Sequence, residues 1–209
     1  MVRSIRNTVK IYIEGGGEQE HLKRECRKAF SSFFDKIGFR GRMPRVVACG
    51  SRNEAFRDYC ISLKTSQSTG ELAFLLVDSE GPVDAAFCNR PGQYLRTHES
   101  WNMPRNAQDE QIHLMIQCME SWFLADIDAL REFFGNGFRE GSLPRGSNIE
   151  DISKTDILDG LKNASGSSYK GKYGKAAHSF KLLEKVDPQK VKIAFPSVNR
   201  LHEELDKVL

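Results

Sequence analysis

The chain alternates short apolar runs with longer segments whose apolar residues recur at helical spacing. The first run, Val9–Glu14, is rich in Ile, Val and Tyr and ends in an acid, with Gly15, Gly16 and Gly17 directly after it. That order predicts a strand, a tight turn and a helix start. From about Glu18 to Ile37 the residues Leu22, Cys26, Ala29, Phe30, Phe33 and Ile37 fall on one helical face, and Gly38 is placed to close the helix. Pro44–Gly50 reads as a second strand, and Ser51 as the cap of a helix reaching about Lys64. Leu72–Val77 is continuously apolar, the pattern of a strand buried on both faces. This β-α-β-α-β alternation predicts an α/β fold: a mainly parallel, Rossmann-like sheet flanked by helices.

Beyond Gly81 the pattern loosens. Gly81–Asp109 is dense in breakers and reads as loop. Gln111–Cys118 is the fourth strand candidate, and Met119–Phe134 reads as one helix. On its wheel Met119, Phe123, Leu130, Phe133 and Phe134 form the apolar face, Asp126 falls inside that arc and Glu120 lies at its margin. Gly135–Ser153 reads as a surface loop, followed by a short helix capped by Ser153 or Thr155, a lysine-rich stretch, a turn and a final amphipathic helix. The expected organisation is an α/β core over residues 1–134 and a small, mostly helical extension over 135–209 packed on it, with a hinge near 135–151.

With 209 residues and 39% hydrophobic content, the chain has enough material for a real core. A net charge of +3 neither demands nor excludes a nucleic-acid partner, so only a local basic patch would matter. No apolar run approaches the roughly 20 residues of a membrane span. The first residues lead straight into a strand without a signal-peptide core. Cys26, Cys49, Cys60, Cys88 and Cys118 are scattered, with no CxxC pair. The expectation is a cytoplasmic protein with reduced thiols and no zinc site.

The chemistry concentrates in the acids. A carboxylate at the end of a parallel strand projects from the carboxyl edge of the sheet, so Glu14, Asp78 and Glu80 would converge if the first and third strands are neighbours. Mg²⁺ and Mn²⁺ take such oxygen ligands, together with water and substrate phosphate. The plainer account is that each acid merely ends a strand. The glycine run lacks the Gly-Lys-Ser/Thr of a P-loop and is not GxGxxG. An inward carboxylate is costly unless paired or metal-bound, so Glu120 and Asp126 are either further ligands or partners of buried arginines.

Lys170, Lys172 and Lys175, interleaved with Tyr169 and Tyr173, form the densest basic cluster. Lys172 and Lys175 are the favoured phosphate contacts, and the tyrosines would stack on unpaired bases. A solvated lysine-rich loop is the alternative. Arg52 and His98 are lesser phosphate candidates, His113 reads as structural, and His178 is a general-base candidate.

The acidic pattern resembles the Toprim superfamily. Its signature is a glutamate closing the first strand, here in "YIEGGGEQE", and an Asp-x-Asp-like pair closing a later one, here Asp78 and Glu80 in "LLVDSEG". Glu80 stands where that pair has its second Asp. "QIHLMIQCMESWFLAD" is similar to the region of OLD-type and RloB-like proteins that contributes further acids, here Glu120 and Asp126. The whole chain resembles an uncharacterised bacterial family of this group. The resemblance implies a Mg²⁺- or Mn²⁺-dependent nuclease acting on DNA or transfer RNA in antiphage defence, beside an ATPase partner; a homodimer is a further arrangement that the sequence leaves open. Glu14, Asp78, Glu80, Glu120 and Asp126 would serve the metal, with Lys172 and Lys175 on phosphate. Two alternatives remain: an inactive docking or sensor subunit with degenerate acids, and a phosphotransfer or nucleotide-binding enzyme using the same acids.

Overall fold

The computed structural model describes residues 8–209. The reading of the first residues as free of a signal-peptide core lies mostly outside them. Strands β1 (Val9–Gly16), β2 (Arg45–Gly50), β3 (Leu72–Asp78) and β4 (Ile112–Met115) form a four-stranded sheet in the order β2-β1-β3-β4. All pairings are parallel. The expected α/β sheet is therefore present, and its period-2 alternation buries both faces. Ile11, Ile13, Phe74 and Leu76 join one core cluster, whereas Tyr12, Leu75 and Val77 join the other.

Helix α1 (Glu20–Phe34) covers the first face with Cys26, Ala29, Phe30 and Phe33. Helix α2 (Arg52–Thr69) covers the second through Ala55, Tyr59 and Leu63. Its start is fixed by a capping box in which Ser51 and Glu54 satisfy each other's backbone N–H groups.

The structure departs from the sequence reading in four places. Helix α2 continues past Lys64 to Thr69, where the Ser66, Ser68 and Thr69 hydroxyls donate to carbonyls three or four residues back and left-handed Gly70 closes it. The breaker-rich segment contains a helix, α3 (Pro91–Glu99), because Pro91 occupies its first turn, where the missing N–H costs nothing. Met119–Phe134 is not one helix: a 3-10 segment runs from Met119 to Ala125, and α4 (Ile127–Phe134) starts anew with Asp126 as its cap. The final amphipathic helix, α8 (Pro196–Asp206), is present, and the segment before it, expected as a turn, is a further short helix, α7 (Pro188–Ala194), divided from α8 at Phe195 by the following proline.

Between α4 and α7 lie α5 (Lys154–Ser165), capped by the Ser153 hydroxyl, and α6 (Lys175–Leu183). These C-terminal helices pack on the α1 face. Phe180, Leu182, Val191, Phe195 and Leu201 share one core cluster with Phe30 and Phe33. Trp122 stacks on Phe33 with ring centroids 5.1 Å apart, each buried aromatic contributing about 1.5–3 kcal/mol.

At the β4 edge Arg200 of α8 donates to the Ile112 carbonyl at 3.0 Å, and also to that of Asp109. His113 is held between Arg200 and the Glu110 carbonyl. Burial, then the Arg200 charge, pushes its pKa down to about 3, so it stays neutral and structural. Among the described residues no helix is long and apolar enough to cross a membrane.

Candidate metal centre

The strand order makes a switch point between β1 and β3, since the chain leaves β1 toward β2 on one side and β3 leads to β4 on the other. Ligand sites of open α/β sheets lie at the carboxyl ends of such strands. Glu14 sits near the end of β1 and Asp78 closes β3. The Asp78 N–H donates to Glu14 Oε2 at 3.0 Å. Glu14, Asp78 and Glu80 each present an oxygen, and these atoms lie within 4.8 Å of one another.

The backbone around the acids is tied down. Glu80 and Gln117 both adopt left-handed φ, at +62° and +64°. Such non-glycine residues cost of order 1–3 kcal/mol each and persist only where neighbouring contacts impose them. The contacts are the Ser79 N–H to Met115 O, the Glu80 N–H to Gln117 O, and the Gln117 N–H to Ser79 Oγ. They fasten the turn after β3 to the turn after β4.

The glycines after Glu14 serve close approach. Gly16 has φ +89°, and a Cβ there would lie 2.6 Å from Lys23 Cα. Gly50, at φ +99°, leaves room for the Gly17 carbonyl, which a Cβ would meet at 2.6 Å.

The family model for a domain of unknown function, DUF4276, matches residues 13–206. The chain belongs to the DUF4276 family. No curated protein and no solved structure matches it. The matched span of this DUF4276 chain contains every residue of the acidic cluster and the lysines beside it.

Glu120 lies behind the cluster and is fully buried in the 3-10 segment. Its Oε1 accepts the Tyr173 hydroxyl at 3.0 Å. Its Oε2 is buried and lacks a hydrogen-bond partner among the described residues. Lys175 Nζ stands 3.5 Å from that oxygen and 3.8 Å from Asp78 Oδ2. Lys154 lies 3.7 Å from Asp78 Oδ2 and 2.6 Å from Glu80 Oε1. The other Asp78 oxygen accepts the Met119 N–H at 2.9 Å. Beside the acids opens a cleft of about 260 Å³, lined by Glu14, Gly16, Asp78, Met119, Lys175 and Phe180 among others.

This electrostatic arrangement is under tension. Burial, then the Asp78 charge, raises the Glu14 pKa to about 8, against the pull of the Asp78 N–H, Arg52 and Lys175. Burial also raises Asp78 to about 6, with Lys175 and Lys154 opposing and Glu120 and Glu80 adding to it. Burial works against the Lys175 ammonium, but Glu120 and Asp78 outweigh it and raise its pKa. The oxygen-only donor set of Glu14, Asp78 and Glu80, and acids that resist ionising side by side, suit a hard divalent cation such as Mg²⁺ or Mn²⁺.

The other candidates from the sequence are distributed differently. Asp126 is not in the cluster: Oδ1 caps α4 and pairs with Lys190 Nζ at 2.6 Å, and Oδ2 accepts the Asp187 N–H at 2.9 Å. Its inward direction is explained by that lysine rather than by an arginine or a metal. Lys172 is exposed, and among the described residues the ion pairs of the acids go to Lys154, Lys175 and Arg52 instead. Tyr173 is buried on Glu120 and presents no face for stacking.

Arg52 approaches Glu14 Oε2 at 3.6 Å, pairs with Glu99 at 3.0 Å and lies over the Trp101 ring. His98 stacks on Tyr94 instead. His178 accepts the Gly174 N–H at 3.0 Å, and burial, then Lys181 and Lys170, lowers its pKa. Lys154, which joins two acids of the cluster, was not among the sequence candidates; the capping Ser153 before it marked the helix start and nothing more.

Proposed function

We propose that this chain is a Toprim-like nuclease that cleaves phosphodiester bonds of DNA or RNA with Mg²⁺ or Mn²⁺. The observation that carries the reading is the convergence of Glu14, Asp78 and Glu80 at the switch point, within 4.8 Å of one another. Glu14 and Asp78 are the principal ligands, and Glu80 completes the set. When bound, the cation polarises the phosphoryl oxygens and lowers the pKa of attacking water. Lys175 supplies positive charge at the mouth of the cleft, where a scissile phosphate would sit, and Glu120 with Tyr173 holds that ammonium in place. On the family resemblance alone, the activity belongs to antiphage defence beside an ATPase partner.

The test uses Glu14→Gln and Asp78→Asn. Each is expected to lower Mn²⁺ affinity, read by calorimetry, and to reduce metal-dependent nucleic-acid cleavage at least a hundredfold, with unchanged far-UV circular dichroism. Wild-type cleavage rates in both variants would sink the proposal. An inactive docking or sensor subunit is the second reading. Lys154 and Lys175 favour it, because they neutralise the acids without metal. A wild-type chain that binds no Mn²⁺ would decide for it.

A further inference from the structure

Among the described residues Tyr169 is the most exposed large hydrophobic, at 87%. It is nevertheless firmly mounted. Its N–H donates to the Asn136 carbonyl at 2.9 Å. The turn around it is closed by Ser168 N–H to Ser165 O, Gly171 N–H to Ser168 O, and Tyr173 N–H to Ser165 Oγ. Beneath it Gly137 admits the Ser167 carbonyl so closely that a Cβ would lie 2.0 Å from it. The backbone that carries the ring is already ordered, so ordering it is no further cost when the ring acquires a partner.

The surroundings are positive. The salt bridges of this region go to Lys162, Lys175 and Lys185. Among the described residues Lys170, Lys172 and Lys181 are left without a carboxylate. Lys170 is oriented over the Phe133 ring, 4.9 Å from its centroid. The same segment then turns inward to Tyr173 on Glu120 and Lys175 on Asp78. Tyr169 and Lys175 are separated by six positions, so their Cα atoms lie within about 22 Å of each other.

We propose that the Tyr169 turn is a base-stacking platform and that the chain therefore takes unpaired nucleic acid, leading the strand past Lys170 and Lys172 into the acidic cleft. This rests on the nuclease reading for its direction but not for its test. A ring standing clear of the surface can stack only on a base whose face is free, whereas paired bases keep their faces inside the duplex. The lysines meet backbone phosphate and serve single and double strands alike.

The experiment measures binding in EDTA by fluorescence anisotropy, with fluorescein-labelled oligothymidylate and its duplex with oligodeoxyadenylate. Wild type is expected to favour the single strand. Tyr169→Ala should weaken single-strand binding about fivefold or more and leave the duplex unchanged, with Tyr169→Trp restoring it. Lys172→Ala should weaken both and lower the salt dependence by about one phosphate contact. An equal loss on both probes, no loss at all, or a wild type that binds neither and so uses this surface for a protein partner, would each overturn the proposal. Cleavage is not needed for any of these readings, so the platform can fail while the nuclease stands, and the reverse.

Discussion

Glu14 holds its proton more tightly in the folded chain, with a pKa of about 8, than an unfolded glutamate does at 4.5. Between those values the folded state carries more protons than the unfolded one, so stability falls as pH rises through that window. Asp78, raised from 3.8 to about 6, adds to the fall over its lower part. Lys154 and Lys175 stay protonated throughout and contribute no slope there, since both pKa values are raised from 10.5. Neutral His113, lowered from 6.5 to about 3, opposes the fall below about pH 6.5, so in EDTA the urea midpoint is expected to decline most steadily from about pH 6.5 to about pH 8, and Glu14→Gln should flatten that decline. Mn²⁺ should restore stability most at the upper end, where it competes with the fewest protons. A midpoint that rises between about pH 6.5 and about pH 8 in the metal-free protein would contradict the raised pKa.

At the level of elements, what could be read from sequence was local. Apolar runs closed by Glu14 and Asp78 carried both strand and strand end within a few residues, and Ser51 and Ser153 marked helix starts. What escaped was set by distant partners. Lys154 and Glu80 are 74 residues apart, and Tyr173 and Glu120 are 53 apart, so no local pattern joins them. The break at Asp126 was concealed because the apolar spacing continues across it; only the preference of Asp for helix caps hinted otherwise. Asp126 supports that junction, and the structure gives it no part in the acidic cluster. Asp126→Ala should cost about 1–3 kcal/mol in urea unfolding through the lost cap and the lost acceptors for Asp187 and Lys190. Its Mn²⁺ affinity should equal that of the wild type; a tenfold loss would return Asp126 to the centre.

For the whole molecule, the centre is assembled from two parts of the chain. The sheet supplies Glu14 and Asp78, and residues beyond the 135–151 segment supply Lys154, Tyr173 and Lys175. The same helical layer reaches round to β4, where Arg200 occupies the Ile112 carbonyl. An open parallel sheet exposes a row of unsatisfied backbone groups at its margin, which can recruit a strand from another molecule. Here the guanidinium of the last helix takes up one of those groups, and α8 lies over a strand only four residues long. Arg200→Ala should leave Mn²⁺ binding intact and promote concentration-dependent self-association, visible as rising light scattering; unchanged scattering would show that α8 protects the margin without its arginine. With that margin covered by α8, a contact between two copies of the chain would fall to their helices or to the opposite, β2 side.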